Sequence, residues 1–317
     1  MPLLLLLTAL LSALLVNFIR QRLRAQLLDI PNHRSSHTVP TPRGGGLGFW
    51  VAFLLALALL PWLSPGVALS NLMAVVIVLL PLALIGYWDD LHSLSARTRY
   101  GVQLMSAGLA VYFFGPFPQP WFEALGPGGI AIAVVLTLIG FTTLVNLTNF
   151  MDGLDGLVGG VSLVQFAFLG WYLANPIWGL LAAALLGFLW WNWPPAKIFM
   201  GDVGSTTLGG AITLALMMAP SQHWILLALT LPITGDAIYT LFRRLLRREN
   251  IFKAHRTHVY QRLPQRGIPP MVVTLIYMGL TGLIVLLITT LGALGAGLSA
   301  TITLSLIALA EGYLQRP

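Results

Sequence analysis

The chain has 317 residues, 57% of them hydrophobic and 9% charged, with a mean hydropathy of +0.84; a soluble domain carries about 25% charged residues, so this is an integral membrane protein. Its apolar runs are far too long for barrel strands, which makes the fold class all-α and polytopic. There are no cysteines, so disulfides and cysteine metal sites are excluded, and the formal charge of +7 does not mark a nucleic-acid partner, because the basic residues sit in short loops between spans.

Pro2–Ile19 is apolar except for Asn17, with no positive residue before it and Arg20, Arg22 and Arg24 after it. A signal peptide has the opposite flank, so a retained first helix with its N-terminus outside is expected. Further spans are expected at approximately Gly46–Trp62, Ser70–Trp88, Arg99–Phe114, Gly128–Val145, Leu157–Leu173, Ile177–Trp193, Ser205–Ala219, Gln222–Phe242, Pro270–Leu291 and Ala293–Gly312. That makes about eleven transmembrane helices, each near the ~20 residues a bilayer requires. Alternating them puts all 17 Lys and Arg residues in inner loops or at their edges, in accord with the positive-inside rule. The N-terminus is then periplasmic and the C-terminus cytoplasmic. Nine acidic residues are inside, at that boundary or, for Asp236, within a span toward its inner end; only Glu123 is outside. No soluble domain, low-complexity tail or internal repeat is visible, so residues 1–317 read as a single transmembrane catalytic domain.

Polar groups gather on the inner loops. Pro40–Gly46 places three glycines after Arg43, where backbone N–H groups could meet an anion or simply form a flexible entry to the second span. Asp89-Asp90 ends the third span; adjacent carboxylates repel, so a metal, a cation or a proton must compensate, with Arg97 and Arg99 near in sequence. In Asn146–Gly156, the groups Asn146, Asn149, Asp152 and Asp155 follow one another every third residue, which on a helix keeps neighbours on adjoining surface. Two carboxylates and two amides there suit a divalent cation or the hydroxyls of a nucleotide sugar; the alternative is a polar helix cap. Asp202 and Ser205 start the eighth span after Lys197 and Gly201, which reads either as a cap or as a phosphate site at a helix N-terminus. Arg243, Arg244, Arg247 and Arg248 read as topology signals or headgroup contacts. Beyond them, His255 and His258 would share a face if helical, flanked by Arg256 and Arg262, a set that favours phosphate over zinc.

Together, Asp89-Asp90, Asn146–Gly156, Phe199–Ser205 and His255–Arg262 resemble the polyprenyl-phosphate N-acetylhexosamine-1-phosphate transferases, in that family's order and on successive inner loops. Pro40–Gly46 and the form of residues 254–263 are similar to the O-antigen-initiating branch. The lysine often found shortly after the paired Asp is absent here, so Arg97 or Arg99 must substitute. The resemblance implies transfer of a sugar 1-phosphate from a UDP-N-acetylhexosamine to undecaprenyl phosphate at the cytoplasmic face of a bacterial inner membrane, releasing UMP and starting O-antigen or a related envelope glycan. It implies Mg²⁺, with Mn²⁺ as a substitute, held by Asp202 and Asn149. Asp89 would be the base or the orienter of the lipid phosphate, with Asp90 its partner. Asn146, Asp152 and Asp155 would serve the nucleotide sugar, and Arg43, Lys197, His255, Arg256 and His258 the phosphates. A homodimer is left open. The competing class is a transporter or lipid flippase, which intramembrane Asp236 and Gly-interrupted segments would suit. Against it, the polar groups crowd one membrane face and no inverted repeat is seen.

Overall fold

The computed structural model describes residues 1–22, 28–30, 39–64, 66–117, 122, 125–250 and 255–316. Arg24, the stretch from Asn32 to His37, Glu123 and Lys253 lie outside the described residues. The order is α1 (Pro2–Arg22), β1 (Leu28–Asp29), β2 (Thr41–Pro42), α2 (Gly45–Leu63), α3 (Leu69–His92), α4 (Ala96–Phe114), α5 (Gly126–Phe150), α6 (Leu157–Tyr172), α7 (Pro176–Asn192), α8 (Asp202–Met217), a 3₁₀ segment (Ser221–Thr230), α9 (Leu231–Leu246), α10 (Val259–Gln265) and α11 (Pro270–Leu314). The all-α class therefore holds; β1 and β2 are a two-residue antiparallel clasp, with Leu28 opposite Pro42 and Asp29 opposite Thr41.

Local chemistry sets several helix starts. Ser95 Oγ accepts from the Thr98 N–H at 3.2 Å to open α4, and Asn175 Oδ1 accepts from the Ile177 N–H at 3.1 Å to open α7, with Pro176 at the first helical position. The span expected at Gln222–Phe242 is not one α-helix. Its first part is the 3₁₀ segment, because Pro232 has no N–H to continue an α ladder back through Ala228.

Helix α11 is two helices. Gly292 has φ 57° and ψ −124°, a left-handed conformation that glycine adopts without a Cβ penalty. A straight helix of 45 residues would span about 68 Å at 1.5 Å per residue. Yet Arg266, before its start, donates to the carbonyls of Leu314 at 3.0 Å and Arg316 at 2.7 Å. The two arms therefore fold back as a hairpin, as expected for separate spans on either side of residue 292.

Six helices among the described residues, α1, α2, α3, α5, the Trp224–Leu246 run and α11, are long and apolar enough to cross a membrane. The remaining long helices, α4, α6, α7 and α8, are shorter or less apolar. Helix α8 lies at the centre, with all of Val203–Met217 buried. It gets there by close approach of small residues, the usual device where lipid supplies no hydrophobic drive between helices. A Cβ at Gly86 of α3 would lie 2.5 Å from the Asp202 carbonyl oxygen, and one at Gly46 of α2 would lie 2.5 Å from the Gly204 nitrogen.

These contacts predict a contrast. Gly86→Ala must push α3 away from α8 and should cost about 1–3 kcal/mol as an overpacking strain. Gly108→Ala in α4, where a Cβ meets nothing within 4 Å, should leave stability unchanged or slightly raised. Reversible unfolding of both variants in detergent measures the difference, and equal stabilities would contradict the packing described here.

Candidate functional site

The ends of α3, α5, α7 and α8 and the loops beside them meet at one end of the bundle. The organising contact is between Asp90 and α8. Its carboxylate accepts from the backbone N–H of Asp202 at 2.9 Å and of Val203 at 3.2 Å, so it caps that helix from outside and meets the positive end of its dipole. The N–H groups of Gly204 and Ser205 go to the Gly201 carbonyl at 3.0 and 3.1 Å. The start of α8 is thus closed by protein groups, and the reading of it as a phosphate site is corrected. So is the self-cap by Asp202 or Ser205: the cap comes from Asp90, the residue expected as the catalytic partner of Asp89.

Asp89 faces differently. It is 9% exposed, accepts from the Leu94 N–H, and is paired with Arg99 at 2.8 Å. Arg99 also reaches Asp202 at 3.6 Å, and the carboxyl groups of Asp89 and Asp202 lie within hydrogen-bonding reach of each other. Of Arg97 and Arg99, the two residues expected to substitute for the lysine, Arg99 is the one that reaches these carboxylates. Asn149 donates its amide N–H to Asp202 Oδ1 and to Ser205 Oγ, both at 3.0 Å. Expected as a metal ligand, Asn149 meets Asp202 through its amide N–H, and its Oδ1 takes no part in these two bonds.

Asp152 sits in the α5–α6 loop within electrostatic reach of Asp202, Asp90 and Arg43. Burial, and then the charges of Asp202 and Asp90, push its carboxyl well above the usual carboxylate range. It belongs with the α3 and α8 carboxylates. Arg43 joins the same electrostatic neighbourhood while paired with Asp29 at 2.7 Å.

Three expected site residues are used elsewhere. Asn146, one turn deeper than Asn149, donates to Gln103 Oε1 at 2.6 Å and to the Thr142 carbonyl at 2.8 Å, an amide pair joining α4 to α5. Asp155 accepts from the Ala196 N–H at 2.8 Å, while its carbonyl takes the Thr274 hydroxyl at 2.8 Å, which fastens the loop to two neighbours. Lys197 turns to Trp191, with Nζ 5.4 Å from the ring centre. Two of the three glycines after Arg43 have their N–H groups taken: Gly45 donates to Phe199 and Gly46 to Met200, each at 2.9 Å.

The last loop is held by Asp236. That buried carboxylate accepts from the N–H groups of Val259 and Tyr260, both at 2.9 Å, from the Thr240 hydroxyl at 3.0 Å and from the Tyr277 hydroxyl at 2.6 Å. His258 Nδ1 lies 3.6 Å from it. Asp236 thus caps α10, and His258 is the residue before the helix. His255 and His258 do not share a helical face; they meet across a bend with rings 4.9 Å apart. Burial, then the neighbouring His258 and the arginines, hold His255 down to about 4. Arg243 reaches Thr257 O at 2.7 Å and Arg244 reaches Asn250 O at 2.8 Å. With Glu311 between Arg243 and Arg262, they brace this loop, a task beyond the topology or headgroup role expected for them. Tyr260 then donates to the Phe150 carbonyl at 3.0 Å, which brings the loop against the end of α5.

Asp236 and Asn192 were not found as site-building residues by sequence reasoning. Asn192 accepts from the Gly156 N–H at 3.0 Å and donates to the Ile198 carbonyl at 2.9 Å. A lone acidic residue in a span was the signal for Asp236; nothing local marks Asn192.

Removal of the Asp236 carboxylate strands two backbone N–H groups and two hydroxyls in a dry interior. Asp236→Ala should cost at least about 3 kcal/mol, and Tyr277→Phe, which removes one donor from a carboxylate still well satisfied, about 1 kcal/mol. Equilibrium unfolding of the two variants and their double mutant gives the coupling. Additive losses would show that the pair does not act as a unit.

The family model described as glycosyl transferase family 4 matches residues 72–219, which run from α3 through α8. A probable undecaprenyl-phosphate N-acetylglucosaminyl 1-phosphate transferase of Bacillus subtilis is 29% identical over 283 residues, 82% of this chain and 76% of the relative. A phospho-N-acetylmuramoyl-pentapeptide-transferase of Deinococcus radiodurans is 31% identical over 77% of this chain and 82% of the relative. A decaprenyl-phosphate N-acetylglucosaminephosphotransferase of Mycobacterium leprae is 30% identical over 80% of this chain and 73% of the relative. With its carboxylates gathered at one end of a multi-pass helical bundle, this chain belongs to glycosyl transferase family 4, the polyprenyl-phosphate N-acetylhexosamine-1-phosphate transferases, and is a membrane phosphotransferase.

Proposed function

We propose that the protein transfers an N-acetylhexosamine 1-phosphate from a UDP-sugar to undecaprenyl phosphate on the cytoplasmic face of a bacterial inner membrane. The products are an undecaprenyl-diphospho-sugar and UMP, and the step starts O-antigen or a related envelope glycan. The observation that carries this reading is the meeting of Asp89, Asp202 and Arg99 at a helix-bundle end, with Asp152 and Arg43 in electrostatic reach. Carboxylates crowded this way call for a divalent cation, and a cation is what an anionic diphosphate under attack by an anionic phosphate requires.

The donor set fits Mg²⁺. Among the described residues no group of three acidic or histidine side chains forms a ready cage. Mg²⁺ keeps several waters and uses one or two carboxylates together with substrate phosphates, so it needs no such cage. Asp202 is the first choice of ligand, with Asp89 and Asp152 close by. Bound there, Mg²⁺ would neutralise the donor diphosphate. Asp89, fixed by Arg99 and the Leu94 N–H at the end of α3, orients the incoming lipid phosphate. Arg43 and Arg256 supply positive charge from the first and last loops, and Asn149 keeps Asp202 aimed.

The flippase reading rests on a buried aspartate in a span and on Gly-interrupted segments. Capping of α10 accounts for the aspartate, and the gathering of carboxylates at one end of the bundle favours the transferase.

Purified protein with undecaprenyl phosphate and a panel of UDP-N-acetylhexosamines should release UMP with one preferred donor. Activity should vanish in excess chelator and return with Mg²⁺ or Mn²⁺. Asp202→Asn should lower turnover by about 100-fold or more, since loss of one positioned charge in a water-poor site costs about 3 kcal/mol of barrier. Full turnover in chelator, or by Asp202→Asn, would overturn the metal-centred reading.

A further inference from the structure

Lys197 left the reaction centre for a place of its own. It lines a cavity of about 400 Å³ together with Arg20, Gln21, Ala196 and the Val39–Pro42 run. Behind the two cations stands one indole. The Arg20 guanidinium carbon lies 4.6 Å and Lys197 Nζ 5.4 Å from the Trp191 ring centre. The ring is fixed, since Trp191 Nε1 donates to the Ala13 carbonyl of α1 at 2.9 Å. Arg20 is fixed as well, donating to Asn17 Oδ1 at 2.9 and 3.3 Å.

No carboxylate pairs with either cation among the described residues. Asp29, the acid nearest to Arg20 in sequence, is paired with Arg43, and Asp202, the acid nearest to Lys197, with Arg99. The other side chains of the cavity, Gln21, Val39, Pro40, Thr41, Pro42 and Ala196, are neutral. Two positive charges held on one ring without a counter-charge repel, and an anion between them removes the repulsion. The place of the cavity selects the anion. Arg20 ends α1, whose outer face is bare: Leu14 is 67% and Phe18 56% exposed, so it faces lipid tails. A basic group and an indole at the end of such a helix stand at headgroup depth. None of Asp89, Asp90, Asp152 and Asp202 lines the cavity, and β2, which does, is tied to the segment before α8 through the Phe199 N–H and the Pro42 carbonyl at 2.8 Å.

We propose that this cavity binds the phosphate of an anionic membrane lipid, at a site separate from the reaction centre. The two cations meet the phosphate, and the acyl chains lie along the exposed face of α1.

The test uses the full chain in a neutral detergent, titrated with short-chain phosphatidylglycerol, with phosphatidylcholine and with inorganic phosphate, while the unfolding temperature is followed. Phosphatidylglycerol should raise it with saturation; the other two should not. Lys197→Gln, at an exposed position, should raise the half-saturating concentration about fivefold. The Arg20→Gln/Lys197→Gln double variant should raise it on the order of twentyfold, as expected for about 1 kcal/mol per basic residue at a lipid surface. Asp202→Asn should leave the titration unchanged, which keeps failure of this site distinct from failure of the transferase reading. An unaltered half-saturation in Lys197→Gln, or an equal response to inorganic phosphate, would overturn the proposal. So would loss of the response in Asp202→Asn.

Discussion

Everything at the reaction centre depends on a carboxylate from one helix sitting on the N-terminus of another. Asp90 and Asp89 are adjacent, and two such charges at the end of an apolar helix would repel and resist burial. The fold separates their fates. Asp90 is neutralised by the N–H groups and dipole of α8, Asp89 by Arg99. Gly201, at φ 76°, permits the first contact, since a Cβ there would lie 2.5 Å from an Asp90 oxygen. Because Asp202 is the first residue of the capped helix, the same contact sets its distance from Asp89.

The device appears twice. Asp236 does for α10 what Asp90 does for α8, and in each case a buried charge is tolerated because its oxygens are taken by hydrogen bonds. One cap positions the carboxylate end of the site and the other the cationic loop. Tyr260, directly after the second cap, closes the distance between them by reaching the end of α5. The site is therefore assembled by backbone-directed aspartates, leaving fewer side chains free for substrate than the count of polar residues suggests.

That explains which parts were legible in the sequence. Apolar runs revealed most helices, including the two arms of α11, since a bilayer allows little else. The order of Asp89-Asp90, Asn149, Asp152, Asp202 and His255–Arg262 pointed to one candidate site, and of the two arginines offered for the missing lysine, Arg99 is the one paired with Asp89. Individual roles did not emerge. Asn146, Asp155 and Lys197 have the right chemistry and the right neighbourhood, but their partners, Gln103, Ala196 and Trp191, are brought by other elements of the fold. Residues that grip a backbone look the same in sequence as residues that grip a ligand. The 3₁₀ segment was missed because hydropathy is blind to which ladder satisfies the main chain.

The join between the first loop and the segment before α8 consists of main-chain bonds: Phe199 to Pro42, Gly45 to Phe199 and Gly46 to Met200. Such a seam has no side-chain identity to conserve, so replacement of most residues along it would pass unnoticed provided the two glycines remain. It does have a length. One residue added between Pro42 and Gly46 would put three donors and acceptors out of step at once, and Arg43, which rides between them, would lose its bearing on the carboxylates. Drift in this stretch should therefore be free in letters and rigid in number.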